Sequence, residues 1–136
     1  MEKKVRVVLS KLGLDVHSRG VITVAKELRD AGMEVIYLGN ANPSEIMNTA
    51  LQEEADVVGV SSLGGAHLSL GKALLQEAEK LEMRENTVFL IGGVFSPEDG
   101  RELKRIGFDG VFPPGSTRDK ILSEVNMSLA VKKAAR

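Results

Sequence analysis

Lys11-Leu12-Gly13-Leu14-Asp15-Val16-His17-Ser18-Arg19-Gly20 is the stretch on which the rest of the chain turns. An apolar run, Val5 to Leu9, precedes it. After it, Val21, Val24, Ala25 and Leu28 recur at helical spacing, with Lys26, Glu27 and Arg29 on the opposite face. The stretch is therefore expected on the loop leaving the carboxyl end of a first β-strand, where open α/β sheets bind ligands. Its Asp15-x-His17-x-x-Gly20 spacing suits a metal site. An imidazole can bind a metal through one ring nitrogen while the other donates its proton to a carboxylate, which fixes tautomer and orientation. Asp15 is a candidate for that carboxylate and Lys11 for its charge partner. Gly20 lets the backbone pass close to a bulky ligand as the helix opens. Taken alone, an aspartate and a histidine on a loop also read as ordinary solvated or capping residues.

Outward from this stretch, strand-like runs and helical patterns alternate without a low-complexity linker or an internal repeat. Gly32 ends the first helix, and Glu34 to Leu38 reads as the second strand. Asn42 caps the next helix, with Pro43 first inside it and Glu45 at the third position; Met47, Ala50 and Leu51 are its expected buried face. Asp56 leads into Val57-Val58-Gly59-Val60, an apolar run suited to a strand buried on both faces. A loop of small residues, Ser61-Ser62-Leu63-Gly64-Gly65, follows, then a helix carrying Leu70, Ala73, Leu74, Ala78 and Leu81. The fourth strand, Val88 to Ile91, runs into Gly92-Gly93, and Ser96-Pro97-Glu98-Asp99 starts a helix with Leu103 and Ile106. A short strand at Gly110 to Phe112 ends at Pro113-Pro114-Gly115-Ser116, and a last helix carries Ile121, Leu122 and Val125. Successive βα units imply a parallel sheet with helices on both faces, joined by right-handed crossovers. The expected architecture is a single α/β domain over residues 1–136, core about 5–125, with five parallel strands in the flavodoxin-like order 2-1-3-4-5.

Composition narrows the function. At 136 residues the chain fits one domain, long enough for a full core but short for a self-contained enzyme with a large substrate pocket. The formal net charge of −1, with both signs interspersed, gives no electrostatic case for nucleic acid or a membrane surface. The absence of cysteine excludes disulfides, thiolate metal sites and cysteine nucleophiles. Aromatic residues are too scarce for stacking platforms. No run approaches the roughly 20 apolar residues of a membrane span, and Met1-Glu2-Lys3-Lys4 does not open a signal peptide, so a cytoplasmic location is expected.

With the strands in that order, the loops after strands 1, 3, 4 and 5 open on one edge. Gly92-Gly93 exceeds what a turn demands, since one glycine would serve. Paired glycines at a strand end leave a slot into which a flat or extended group can slide, and Ser61 and Ser62 offer hydroxyls to its polar atoms. A tight βα turn explains either loop singly; their coincidence with Asp15-x-His17 favours a ligand site. His67, near the start of the third helix, reads as a capping residue or one supporting the site from behind. The Pro113 to Ser116 turn either touches the ligand or simply caps the last helix. Lys132, Lys133 and Arg136 read as a solvated helix end favoured by the helix dipole.

Asp15-x-His17-x-x-Gly20, Ser61-x-Leu63 and Gly92-Gly93, in this order, resemble the three-part signature of the cobalamin-binding domain of adenosylcobalamin-dependent mutases and methionine synthase. The resemblance covers about Val5 to Val125, and the combination is far more specific than any part. It implies that a histidine replaces the benzimidazole base on cobalt. His17 would then be the axial ligand, Asp15 its hydrogen-bonding support, and Lys11 the partner of that aspartate. Val16, Ser18 and Gly20 would lie beside the cofactor. Ser61, Leu63, Gly92 and Gly93 would line the channel for the nucleotide tail, with Ser62 and Gly115 also counted as cofactor-binding. Val8 to Gly20 and Glu27 to Tyr37 are most similar to small subunits of acyl-CoA mutases of the isobutyryl-CoA and 2-hydroxyisobutyryl-CoA type. Val16 stands where those usually have glycine, and Ser18 where they usually have aspartate. Asn40-Ala41-Asn42 replaces their polar-Thr lead into Pro43. Gly107-Phe108-Asp109 and Pro113-Pro114-Gly115 resemble the small subunit of glutamate mutase instead.

The resemblance implies adenosylcobalamin as cofactor, cobalt as its metal, and docking on a large catalytic subunit, a TIM barrel that holds an acyl-CoA substrate. The alternative is a corrinoid methyl carrier between methyltransferases; such carriers usually place a helical cap domain first, whereas Val5 already opens a strand here. A signalling receiver would need an acidic cluster after strand 1, a phospho-acceptor aspartate after strand 3 and a lysine after strand 5. Ser61 and Pro113 occupy the last two positions.

Overall fold

The structure, a computed structural model, describes residues 4–12, 19–62 and 67–134. Strand and helix alternate: β1 (Arg6–Leu12), α1 (Arg19–Asp30), β2 (Glu34–Ala41), α2 (Pro43–Gln52), β3 (Val57–Ser62), α3 (His67–Lys80), β4 (Val88–Gly93), α4 (Pro97–Ile106), β5 (Gly110–Phe112) and α5 (Arg118–Ala134). The strands pair in parallel in the order β2-β1-β3-β4-β5, as expected from the sequence. Alternation along each strand divides the core in two. Val8, Val58, Val60, Phe89 and Ile91 pack with residues of α2, α3 and α4. Val7, Leu9, Val57, Val88 and Leu90 pack with Val21 and Leu28 of α1 and Ile121 and Val125 of α5. The sheet is thus covered on both sides.

The helix ends follow their sequence signals. The Asn42 side chain accepts from the Glu45 N–H at 2.8 Å while Glu45 Oε1 accepts from the Asn42 N–H at 3.0 Å, a reciprocal cap. α1 closes with the Met33 N–H on the Leu28 carbonyl and the Gly32 N–H on that of Arg29. α2 and α3 close in the same way, but with Glu54 and Glu82 in the left-handed region at φ 52° and 58°.

Four expectations are corrected. Leu51 is 48% exposed, and Ile46 takes its place in the buried face of α2, because the helix turns Ile46, Met47 and Ala50 toward the sheet. On α3 the buried stripe is His67, Gly71, Leu74, Leu75 and Ala78, with Leu70 and Leu81 at its margins. Lys132 is not a solvated end: its ammonium donates to the carbonyls of Thr87 at 2.6 Å and Arg84 at 2.9 Å, pairs with Asp109 at 3.3 Å, and lies 5.7 Å from the centre of the Phe89 ring. It ties the last helix to the segment entering β4. Finally, the strands run further than their apolar cores suggested. β1 continues to Leu12, β3 through Ser61-Ser62 and β4 through Gly92-Gly93, so these small and polar residues are sheet, not loop. Lys11, Ser61 and Gly92 are paired on both sides and Leu12, Ser62 and Gly93 on one, so backbone pairing, not apolar content, sets where the strands end.

Candidate functional site

Register turns motifs that are far apart in sequence into one row. Asn40 of β2 pairs with Lys11 of β1, Lys11 with Ser61 of β3, Ser61 with Gly92 of β4, and Gly92 with Phe112 of β5. Lys11 is therefore a strand residue, only 8% exposed, rather than part of the loop. Two residues deeper, roughly 7 Å along the strands, a second row reads Leu9, Gly59, Leu90, Gly110. Large and small residues alternate along it, and a Cβ on Gly59 would come within 2.6 Å of the Leu9 side chain.

Above these rows, between α1 and α5, opens a cleft of about 490 Å³. Its floor is Leu9, Gly59, Leu90, Ser61 and Gly92; α1 supplies one wall, and the Pro113 to Ser116 turn with Ile121 supplies the other. Gly20 lies in the first turn of α1 on the cleft, where an added Cβ would meet nothing within 4 Å. The Ser116 hydroxyl is already engaged, donating to the Pro113 carbonyl at 2.7 Å.

The two glycines ending β4 have different reasons to be glycine. Gly93, with φ near 156°, lies so close to β3 that a Cβ would overlap the Ser62 carbonyl oxygen. A Cβ on Gly92 would meet only the Phe112 carbonyl oxygen, at an ordinary 3.5 Å. Gly93 is thus fixed by strand packing, whereas Gly92 keeps the cleft open.

Of the expected site residues, Gly20, Ser61, Gly92, Gly93 and Gly115 line the cleft. Ser62 is 2% exposed and is not part of its lining. Asp15, Val16, His17, Ser18 and Leu63 lie outside the described residues. His67 is the first residue of α3 and is buried. Its Nε2 is 2.8 Å from Asp99 Oδ2 and its ring centre 5.7 Å from that of Phe95, so it joins α3 to α4 away from the cleft.

The sequence reading missed Gly59, which forms the floor, and Glu27, which lines the α1 wall although its charge suggested the solvent face. A signal existed for both. Gly59 is two residues before Ser61, hence on the same sheet face, and a glycine inside a buried strand marks a close approach. Glu27 is seven residues after Gly20, two turns along the same helix face.

The doubly wound sheet and a cleft at its carboxyl edge define a ligand-binding α/β domain of the switch-point type. Residues 5–122 match the B12 binding domain family, and the chain belongs to it. It is 40% identical over 126 residues to the small subunit of 2-hydroxyisobutanoyl-CoA mutase from Aquincola tertiaricarbonis, covering 89% of this chain and 92% of that one. It is 35% identical over 115 residues to the large subunit of methylmalonyl-CoA mutase from Streptomyces virginiae, covering 84% of this chain but 16% of that protein. A cobalamin-binding protein from Desulfitobacterium hafniense shares the fold, with a TM-score of 0.80 at 20% identity, over 93% of this chain and 60% of that one.

Proposed function

We propose that this chain is the cobalamin-binding small subunit of an adenosylcobalamin-dependent carbon-skeleton mutase, acting in the cytoplasm on an acyl-CoA together with a separate, TIM-barrel catalytic subunit. The observation that carries this reading is the glycine-floored apolar cleft, present in a chain 40% identical to a mutase small subunit over nearly the full length of both. A slot between Leu9, Gly59 and Leu90 suits a flat aromatic base, so the residues present fit the tail of a corrinoid whose base has left cobalt. Adenosylcobalamin, when bound, supplies a cobalt–carbon bond and with it the radical chemistry.

The chain's own task is binding, orientation and ligation. In this reading His17 would hold cobalt through one ring nitrogen, and Asp15 would accept a hydrogen bond from the N–H of the other, keeping the imidazole in one tautomer. Lys11, buried on β1, offsets the aspartate's charge. Ser61 and Gly92 flank the entrance to the cleft, and the Pro113 to Ser116 turn closes its far wall. The small subunit alone binds the corrinoid without turnover. Alignment of this chain with one part of a methylmalonyl-CoA mutase large subunit supports assembly with a partner that carries the remaining catalytic machinery.

The test is electron paramagnetic resonance of the cob(II)alamin-loaded chain labelled with nitrogen-15 histidine. An axial nitrogen with the nitrogen-15 coupling is expected. Coupling from the benzimidazole nitrogen instead would overturn the ligation scheme.

A further inference from the structure

Glu27 stands out on the wall of the cleft. Among the described residues it is the one titratable side chain lining a space otherwise formed by apolar groups, glycines, prolines and hydroxyls. α1 presents Gly20, Val21, Thr23, Val24 and Glu27 to the cleft. At a helical rise of about 1.5 Å per residue, Glu27 lies about 10 Å along the axis from Gly20. Because α1 runs back from the carboxyl edge of the sheet, Gly20 lies nearer the mouth of the cleft and Glu27 further in. Glu27 is half-buried, and its carboxylate has no hydrogen bond or ion pair with any described residue.

A carboxylate only accepts hydrogen bonds. A hydrocarbon edge pressed against it removes water and returns nothing, whereas an N–H group returns a charge-assisted bond. We infer that Glu27 selects the lower base of the corrinoid, favouring a tail that ends in an N–H donor, such as the exocyclic amino group of adenine, over dimethylbenzimidazole, whose outer edge carries only methyl groups. This rests on the reading that the cleft receives the corrinoid tail. It adds which tail the cleft prefers. Cobalamin still binds, but a purine-tailed corrinoid binds more tightly.

The experiment titrates the purified 136-residue chain and its Glu27→Leu and Glu27→Gln variants with three probes, followed by visible absorbance. The probes are cobalamin, the adenine-tailed corrinoid and cobinamide, which has no base. Urea unfolding confirms that each variant is folded. The parent is expected to prefer the adenine-tailed corrinoid by about tenfold or more, and Glu27→Leu to shift the ratio toward cobalamin by about tenfold to a hundredfold, with Glu27→Gln between them. If both tailed corrinoids bind better than cobinamide but their ratio is the same in parent and Glu27→Leu, the role of Glu27 is overturned and the cleft reading survives. If cobinamide binds the parent as tightly as either tailed corrinoid, the cleft does not take the tail, and both readings fall.

Discussion

Replacing Gly92 by valine tests the cleft without disturbing the sheet that forms it. Gly92 is extended, paired to Ser61 on one side and Phe112 on the other, and an added Cβ meets its nearest atom at 3.5 Å. A β-branched residue suits such a strand, so the stability of Gly92→Val should stay within about 1 kcal/mol of the parent. The three new carbons project into the cleft beside Ser61, where a bound tail would have to compress against them. Overpacking of that kind costs about 1–3 kcal/mol, equivalent to a roughly 5- to 150-fold weaker dissociation constant. Gly93→Ala is the opposite case. Its single methyl overlaps the Ser62 carbonyl, which cannot swing aside without parting β3 from β4, so stability itself should fall by about 1–3 kcal/mol or more. Absorbance titration with hydroxocobalamin, paired with urea unfolding of each variant, separates the two effects. A folded Gly92→Val that binds hydroxocobalamin as tightly as the parent would refute the placement of the tail. A Gly93→Ala with an unchanged urea midpoint would refute the packing argument.

Lys132→Met keeps the aliphatic stem but strips the Thr87 and Arg84 carbonyls and Asp109 of their partner, so urea unfolding should show a loss of about 1–3 kcal/mol; a loss near zero would mean water replaces the ammonium without cost. Glu82→Gly relieves an exposed side chain held at φ 58° at the end of α3 while keeping the closing hydrogen bonds, and should raise stability by up to about 1 kcal/mol in the same assay. In the proposed scheme Asp15→Asn weakens corrinoid binding or mutase activity by about 10- to 100-fold, measured by titration and by turnover with the partner subunit.

Helix starts were legible in the sequence because each rests on local chemistry, and the strand order because successive βα units leave few arrangements for a doubly wound sheet. The Asn42-Pro43-x-Glu45 cap is set by side chains within three residues of one another, and the runs Val7 to Leu9, Val57 to Val60 and Val88 to Ile91 are apolar because both faces of the sheet are covered. What sequence did not convey is cross-strand distance. Lys11, Ser61 and Gly92 look like loop residues one at a time; only register shows that they are neighbours in a single row of the sheet. The anchoring of Lys132 is hidden from the sequence because it too depends on distant residues. Its partners, Thr87 and Asp109, are more than twenty residues away, and nothing near it in sequence signals them.

The glycines of the site carry this argument one step further. Gly59, Gly92 and Gly93 are indistinguishable as letters, and each falls in or at the end of a buried strand. What separates them is the first atom that a side chain would meet. For Gly93 it is backbone, which cannot yield, so that glycine would be needed whether or not a ligand ever bound. For Gly92 it is a carbonyl at ordinary contact distance, so its missing side chain is not explained by the protein's own packing. Gly59 lies between these cases: its Cβ would press on the tip of the Leu9 side chain, which can rotate, but only within the space beside the floor of the cleft. A methyl at Gly59 should therefore be felt less by the sheet than by whatever occupies the cleft. Gly59→Ala is expected to lose more in corrinoid affinity than in unfolding free energy, and a loss confined to unfolding would place Leu9 and Gly59 in the structural class with Gly93.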